Sequence, residues 1–180
     1  CNPDGSVNKM NARCCGRGDL DKCKIGLTNN DTTAPVARNS SNLAFDAVGC
    51  LREMHHKCYD VPGAYLQGEQ RASEQRVYRP PRGARKWDER GVEILWVTNS
   101  PFYGQGDAGA IWNRTINNTF TSTEPPDGCG LERCSNDPRV YGKDGGDSRI
   151  NGPPYVDEGR WGWGDTPEAG AAERSTTAKE

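Results

Sequence analysis

Acidic side chains offer the most specific chemistry in this chain. One stands in the stretch Asp60-Val-Pro-Gly-Ala-Tyr-Leu-Gln-Gly68, where an isolated carboxylate precedes a short apolar run that contains an aromatic ring, Tyr65. Read locally, Asp60 caps a turn made by Pro62-Gly63, and Tyr65 packs. Read chemically, Asp60 calls for a second acidic site, and Tyr155-Val-Asp-Glu158 supplies one. Two adjacent carboxylates, Asp157 and Glu158, at a hairpin tip beside Asp60 on a neighbouring strand would hold two divalent cations. Cations placed there activate an attacking 3′-hydroxyl and neutralise a leaving pyrophosphate, which is the chemistry of nucleotidyl transfer.

Several elements must position these groups. Apolar residues at 43, 44, 47, 48, 51 and 54 have helical spacing and predict a helix over 43–57, capped by Ser41-Asn42, that runs directly into a short strand, Tyr59-Asp60-Val61. The run Val92–Val97 predicts a strand in a sheet interior, preceded by an extended 77–83 segment and a turn at Asp88–Gly91. Ala108 to Phe120 predicts a second helix with Ile111, Trp112, Thr115, Ile116 and Phe120 on one face, and 139–143 a short strand. Pro153, Pro154 and the glycines at 159, 162 and 164 make a poor sheet sequence. The tail from Gly164 begins like a capped helix but lacks a long apolar face.

Composition limits the core. Val, Ile, Leu and Phe supply 9 + 5 + 7 + 3 = 24 of 180 residues, while Gly and Pro supply 22 + 12 = 34. So few apolar side chains offset conformational entropy poorly, which predicts short elements, much irregular backbone, and support from disulfides, a metal or a partner surface. The net charge of −2 gives no global field towards nucleic acid and no barrier against it. No run approaches the roughly 18 apolar residues of a membrane span, and the first ten residues do not have the pattern of a signal peptide.

Other groupings carry weaker signals. Cys50, His55, His56 and Cys58 lie close in sequence, but no Cys-x-x-Cys pair accompanies them, so buried Cys50 with exposed histidines competes with a zinc site. The eight cysteines leave disulfides open, with Cys14, Cys15, Cys129 and Cys134 as candidate partners. Gly104–Gly109 matches Gly-x-Gly-x-x-Gly literally, and Trp161-Gly-Trp163 would stack bases or anchor into a core. Asn-x-Ser/Thr triplets mark Asn30, Asn39, Asn113 and Asn117 as glycosylation sites if the chain enters a secretory compartment.

Six blocks in order resemble the reverse-transcriptase domain of copia-type retrotransposon polyproteins: 32–41 (TTAPVARNSS), DVPGAYLQG, 77–83 (VYRPPRG), 94–115 (ILWVTNSPFYGQGDAGAIWNRT), 134–141 (CSNDPRVY) and YVDE. The resemblance implies an α+β fold, a partial fingers–palm domain over residues 1–165 with short strands, two main helices, much irregular loop and no thumb, followed by a polar tail over 166–180. It implies that Asp60, Asp157 and Glu158 bind Mg²⁺ and carry RNA-directed DNA polymerisation, with Glu158 in the place of the family's second hairpin Asp. Tyr65 would exclude a ribose 2′-hydroxyl. Tyr103 and Gly104 would lie beside the incoming dNTP and the template-primer, and Arg13 and Arg17 would grip the triphosphate from a basic strand. In the nucleotide-side block the family's Leu-Lys-Gln reads Gln105-Gly106-Asp107, which exchanges a cation for an anion. The alternative is a non-catalytic structural or assembly subunit of a larger complex, stabilised by partner contacts or disulfides.

Overall fold

The computed structural model describes residues 6, 13–20, 32, 34–124, 128–145, 148–152 and 157–164. Among the described residues it is a mixed structure of two long helices, small antiparallel sheets and much loop. The helices are α1 (Asn39–Leu51) and α2 (Ala108–Thr121). Five strands, β1 (His55–Asp60), β4 (Glu132–Arg133), β5 (Tyr141–Gly145), β6 (Ser148–Gly152) and β7 (Glu158–Trp163), form one sheet in the order β1-β7-β6-β5-β4. A separate ribbon pairs β2 (Val77–Tyr78) with β3 (Trp96–Val97).

The core lies between α2 and one face of the larger sheet. Ile111, Trp112, Ile116 and Phe120 are buried along α2, as the 3.6-residue spacing predicts. Phe120 meets Tyr141 and Trp161 edge-to-face, with centroids 5.0 and 5.2 Å away, and Tyr59 stacks on Trp161 at 5.8 Å. Aromatic area thus substitutes for the missing aliphatic side chains. A buried polar layer continues it. The Arg139 guanidinium donates to Asn113 Oδ1 at 2.6 Å, and the Tyr141 hydroxyl donates to Asn117 Oδ1 at 3.2 Å. Burial pulls the Arg139 guanidinium below its ordinary value and pushes the Tyr59 phenol above its own.

The glycines of β7 have a structural use. A Cβ at Gly159 would overlap the Tyr59 ring, and one at Gly162 would touch Phe45 of α1. β7 thus lies inside the sheet, between β1 and β6, with no side chain at the two points where rings cross it from either side. Strand formation at Ser148–Gly152 and Glu158–Trp163 overturns the expectation that this stretch is poor sheet; Pro153 and Pro154 lie outside the described residues.

Three further expectations are corrected. α1 begins at Asn39, so Ser41 and Asn42 lie inside it and do not cap it. Its acceptor comes from the distant β4–β5 turn instead. Asp137 Oδ2 takes the Arg38 N–H at 2.9 Å and the Ser41 hydroxyl at 2.6 Å, while Oδ1 takes the Arg139 N–H at 3.0 Å. Nor does the apolar stripe of α1 reach the core: Leu43 is 70% exposed and Leu51 84%. The run at 92–97 is likewise no sheet interior, because only Trp96 and Val97 form a strand, and Val92 to Val97 are all exposed apart from Glu93. Periodicity identifies an apolar face without saying what covers it.

Replacing Phe120 by Ala should cost about 3–5 kcal/mol in urea denaturation, whereas Leu51→Ala should change stability by less than about 0.5 kcal/mol. Burial raises the Asp137 carboxyl, but the Ser41 hydroxyl and the Arg38 and Arg139 amides outweigh it, so the group sits below the usual carboxylate range. A depressed value contributes stability that is present above the unfolded value near 4 and lost as pH falls through the folded one. The stability gap between the parent and Asp137→Asn should therefore be wide near about pH 6 and narrow near about pH 3, read from urea midpoints.

Candidate functional site

The strand pairing brings together two acidic sites that are remote in sequence. β1 and β7 run antiparallel with Tyr59 opposite Gly159 and Asp60 opposite Glu158. The Val61 N–H donates to the Asp157 carbonyl at 2.6 Å, extending the ladder by one position. Because hydrogen-bonded and non-hydrogen-bonded pairs alternate, Asp60 and Glu158 form a non-hydrogen-bonded pair, the arrangement with Cα atoms only about 4.5 Å apart. Directly opposite residues share a face, so both carboxylates leave the sheet on the side away from Tyr59 and Trp161. Asp60, Asp157 and Glu158 are all exposed, and among the described residues none has an ion-pair partner.

No group of three or more His, Cys, Asp or Glu among the described residues is assembled to hold a metal ion. The donor set that is present nonetheless suits Mg²⁺. That ion takes hard oxygens, keeps several waters, and binds through one or two carboxylates with substrate phosphates completing its shell. Two like charges directly opposite each other also destabilise a strand pair, and a shared dication would relieve that repulsion. His55, His56, Cys50 and Cys58 form no such group, and Cys50 is exposed, not buried.

The DVPGAYLQG stretch follows the site closely. Ala64 N–H returns to the Val61 carbonyl at 3.2 Å, closing a turn in which Gly63 has φ +64°, a conformation suited to glycine. A short 3-10 turn, Ala64–Gln67, then presents Tyr65. Gly68 ends it because a Cβ there would press on Pro101 and Ile111 of α2. Tyr65 is half-buried and meets Tyr103 edge-on, centroids 6.2 Å apart. The Tyr103 hydroxyl lies 3.8 Å from where a Cβ on Gly63 would stand. Arg13 stacks over the Tyr103 ring with its guanidinium carbon 4.9 Å from the centroid. Tyr65, Tyr103 and Arg13 therefore form a connected row that starts at the turn following Asp60, with Gly104 beside Tyr103.

Arg17 lies in the same segment but is engaged elsewhere. Its Nε and one terminal nitrogen donate to the two oxygens of Asp19, at 2.8 and 2.6 Å, on the surface. The segment that carries both arginines is irregular, followed by a single 3-10 turn at Gly18–Leu20; it is not a strand. Asp107 also departs from expectation. Its carboxylate pairs with Arg76 at 2.7 Å, and both side chains are less than a tenth exposed (6% and 8%), so the added anion is neutralised internally and does not face phosphates. This places the glycine-rich stretch 104–109 at the start of α2 as a packed turn.

Of the triplets, Asn39 is exposed as the first residue of α1, while Asn113 and Asn117 are half-buried on α2 and accept from Arg139 and Tyr141. Asn30 lies outside the described residues, as do Tyr155, Val156 and the tail from Asp165. None of the six described cysteines, Cys14, Cys15, Cys50, Cys58, Cys129 and Cys134, is in a disulfide. No helix among the described residues is long and apolar enough to cross a membrane. Sequence reasoning missed Arg76, Asp137 and Arg139. Each is a charged residue in a loop-like stretch, and no periodic signal marks such a residue as buried. No family model, no curated protein and no solved structure matches the chain.

If Asp60 and Glu158 repel across the ladder, Asp60→Asn should raise the melting temperature in metal-free buffer by roughly 1–4 °C. Millimolar Mg²⁺ should then stabilise the parent and leave the variant unmoved, as read by differential scanning calorimetry.

Proposed function

We propose that the chain is a fragment of an RNA-directed DNA polymerase of the copia type, its fingers–palm portion, acting by two-metal nucleotidyl transfer. The observation that carries this reading is the register that sets Asp60 opposite Glu158, with Asp157 beside Val61. Each of the six resembling blocks also contacts another, VYRPPRG pairing with the 94–115 block through β2 and β3. Asp137 of the CSNDPRVY block holds the Arg38 amide at the end of the Ala-Pro-Val-Ala-Arg block. Tyr65 of DVPGAYLQG meets Tyr103 of the nucleotide-side block, and YVDE meets DVPGAYLQG through the ladder.

In this reading Asp60 and Glu158 would hold Mg²⁺ from one face of the ladder, with Asp157, opposite Val61 at its end, turning in as the third carboxylate; the ion would lower the charge cost of attack by a primer 3′-hydroxyl and of pyrophosphate departure. The carboxylates of this chain fix where those charges sit. Tyr65, one turn after Asp60, and Tyr103 against it would supply the aromatic surface for a nucleotide sugar and base. Exclusion of a 2′-hydroxyl follows from the bulk of Tyr65. The substrates are dNTP and an RNA or DNA template-primer.

A second reading rests on one specific observation. Leu43, Val48 and Leu51 on α1, and Val77, Trp87, Val92 and Ile94–Val97 on and around the ribbon, leave large apolar side chains exposed. Such surfaces belong to chains that bury them in an assembly, which favours a non-catalytic subunit of a larger complex.

Primer extension on an RNA template with Mg²⁺ separates the two. The polymerase reading expects incorporation that falls by at least about 100-fold in both Asp60→Asn and Asp157→Asn. Incorporation that survives either change, or is absent from the parent chain, leaves the assembly reading in its place.

A further inference from the structure

Arg139 is a cation in the wrong place. It is 1% exposed, in the turn between β4 and β5, directly behind the aromatic core. A buried guanidinium normally has a carboxylate against it, as Arg76 has in Asp107. Among the described residues Arg139 has none. Asp137, two residues away, takes the Arg139 main-chain N–H and not the guanidinium; its other oxygen is occupied by Arg38 and Ser41. One terminal nitrogen of Arg139 donates to the neutral Asn113 amide at 2.6 Å, and Nε has no hydrogen-bond partner among the described residues.

A second donor in the same layer is also without a partner. The Tyr59 hydroxyl is buried and makes no hydrogen bond among the described residues. Tyr59 packs from β1 against the cluster that holds Tyr141, and the Tyr59 phenol and the Arg139 guanidinium act on each other electrostatically. Burial pushes the phenol above its ordinary value, so Tyr59 stays a neutral donor and supplies no countercharge. Arg133 adds a further positive influence on the guanidinium. An arginine does not escape by losing its proton, because its guanidinium stays protonated inside proteins. The layer therefore holds an unbalanced positive charge and two buried donors that lack an acceptor, each of which is costly when left so.

We propose that Arg139 Nε and the Tyr59 hydroxyl bind a small monovalent inorganic anion of the chloride class inside the molecule. The two donors and the closed surroundings select that class. A phosphate or sulfate brings four oxygens to two donors. A carboxylate brings a carbon chain into a layer where Tyr141 is 0% exposed. A water molecule would satisfy the donors and leave the charge unbalanced. Tyr59 directly precedes Asp60 on β1, so the anion braces that strand from the core side while the acidic pair stands on the other. The inference is independent of the nucleotidyl-transfer reading.

The test compares melting temperatures of the full chain in sodium chloride and in sodium sulfate at equal ionic strength, by differential scanning calorimetry in phosphate-free buffer. Sulfate strengthens burial in general by its exclusion from protein surfaces, so a non-specific salt effect favours sulfate. The parent should instead melt at least about 3 °C higher in about 100 mM chloride. Tyr59→Phe and Arg139→Met, which remove one donor and the charge with little change of volume, should each lose that gain. Crystals of the parent grown in sodium bromide supply the second readout, with an anomalous peak expected between Arg139 Nε and the Tyr59 hydroxyl. Where Arg139→Met does not fold, Tyr59→Phe and the bromide crystals decide. The proposal is overturned if the parent gains nothing from chloride over sulfate, if folded Tyr59→Phe keeps the full gain, or if the bromide crystals show a water at that position.

Discussion

The antiparallel pairing of β1 with β7 is the constraint on which the rest of the structure depends. It fixes two faces at once. On one, Tyr59, Val61 and Trp161 pack towards α2 and build the core with Phe120 and Tyr141. On the other, Asp60 and Glu158 stand opposite each other, and among the described residues neither has an ion-pair partner. A slip of one residue would exchange the faces, burying the carboxylates and exposing the aromatic rings, so the same hydrophobic contacts that stabilise the sheet also enforce the acidic juxtaposition. Stability and site geometry therefore have a common cause.

A chain this poor in aliphatic residues holds that pairing by other means. Stacked and edge-to-face rings supply area per residue that Val or Leu cannot. Buried charge takes a structural role where it is satisfied: Arg76 with Asp107, and Asp137 with three donors from two elements. Arg114 extends this network by binding Glu74 at 2.7 Å and the Glu69 carbonyl at 3.1 Å, which ties the loop after the 3-10 turn to α2. Removing one partner of such a buried pair costs more than the pair contributes, so these residues are as constrained as any apolar core position. The outward stripe of α1 is not held in this way.

Legibility in the sequence divided along physical lines. The α2 helix was readable to its individual buried residues because a solvent-facing polar side left an unmistakable period. The Pro62-Gly63 turn was readable from its residue types, and the acidic pairing from motif order. The α1 stripe misled, since amphipathic spacing reports a preference for burial and not its fulfilment. The 92–97 run misled for the same reason, and its continuity suggested an interior that the two-residue ribbon does not provide. The glycines of β7 could not be interpreted from one sequence, because their use depends on which ring crosses them. Buried charges were equally invisible, since only the fold determines whether an Arg in a loop meets an Asp distant from it.

The central claim is that Asp60 and Glu158 share a cation across the β1–β7 ladder. Paramagnetic Mn²⁺, added at substoichiometric amounts to the isotopically labelled chain, tests it most directly by nuclear magnetic resonance. The account predicts that amide signals of Tyr59–Val61 and Asp157–Gly159 broaden first, and that the effect disappears in an Asp60→Asn, Glu158→Gln double variant. Broadening centred on other residues, or spread evenly over the chain, would contradict it.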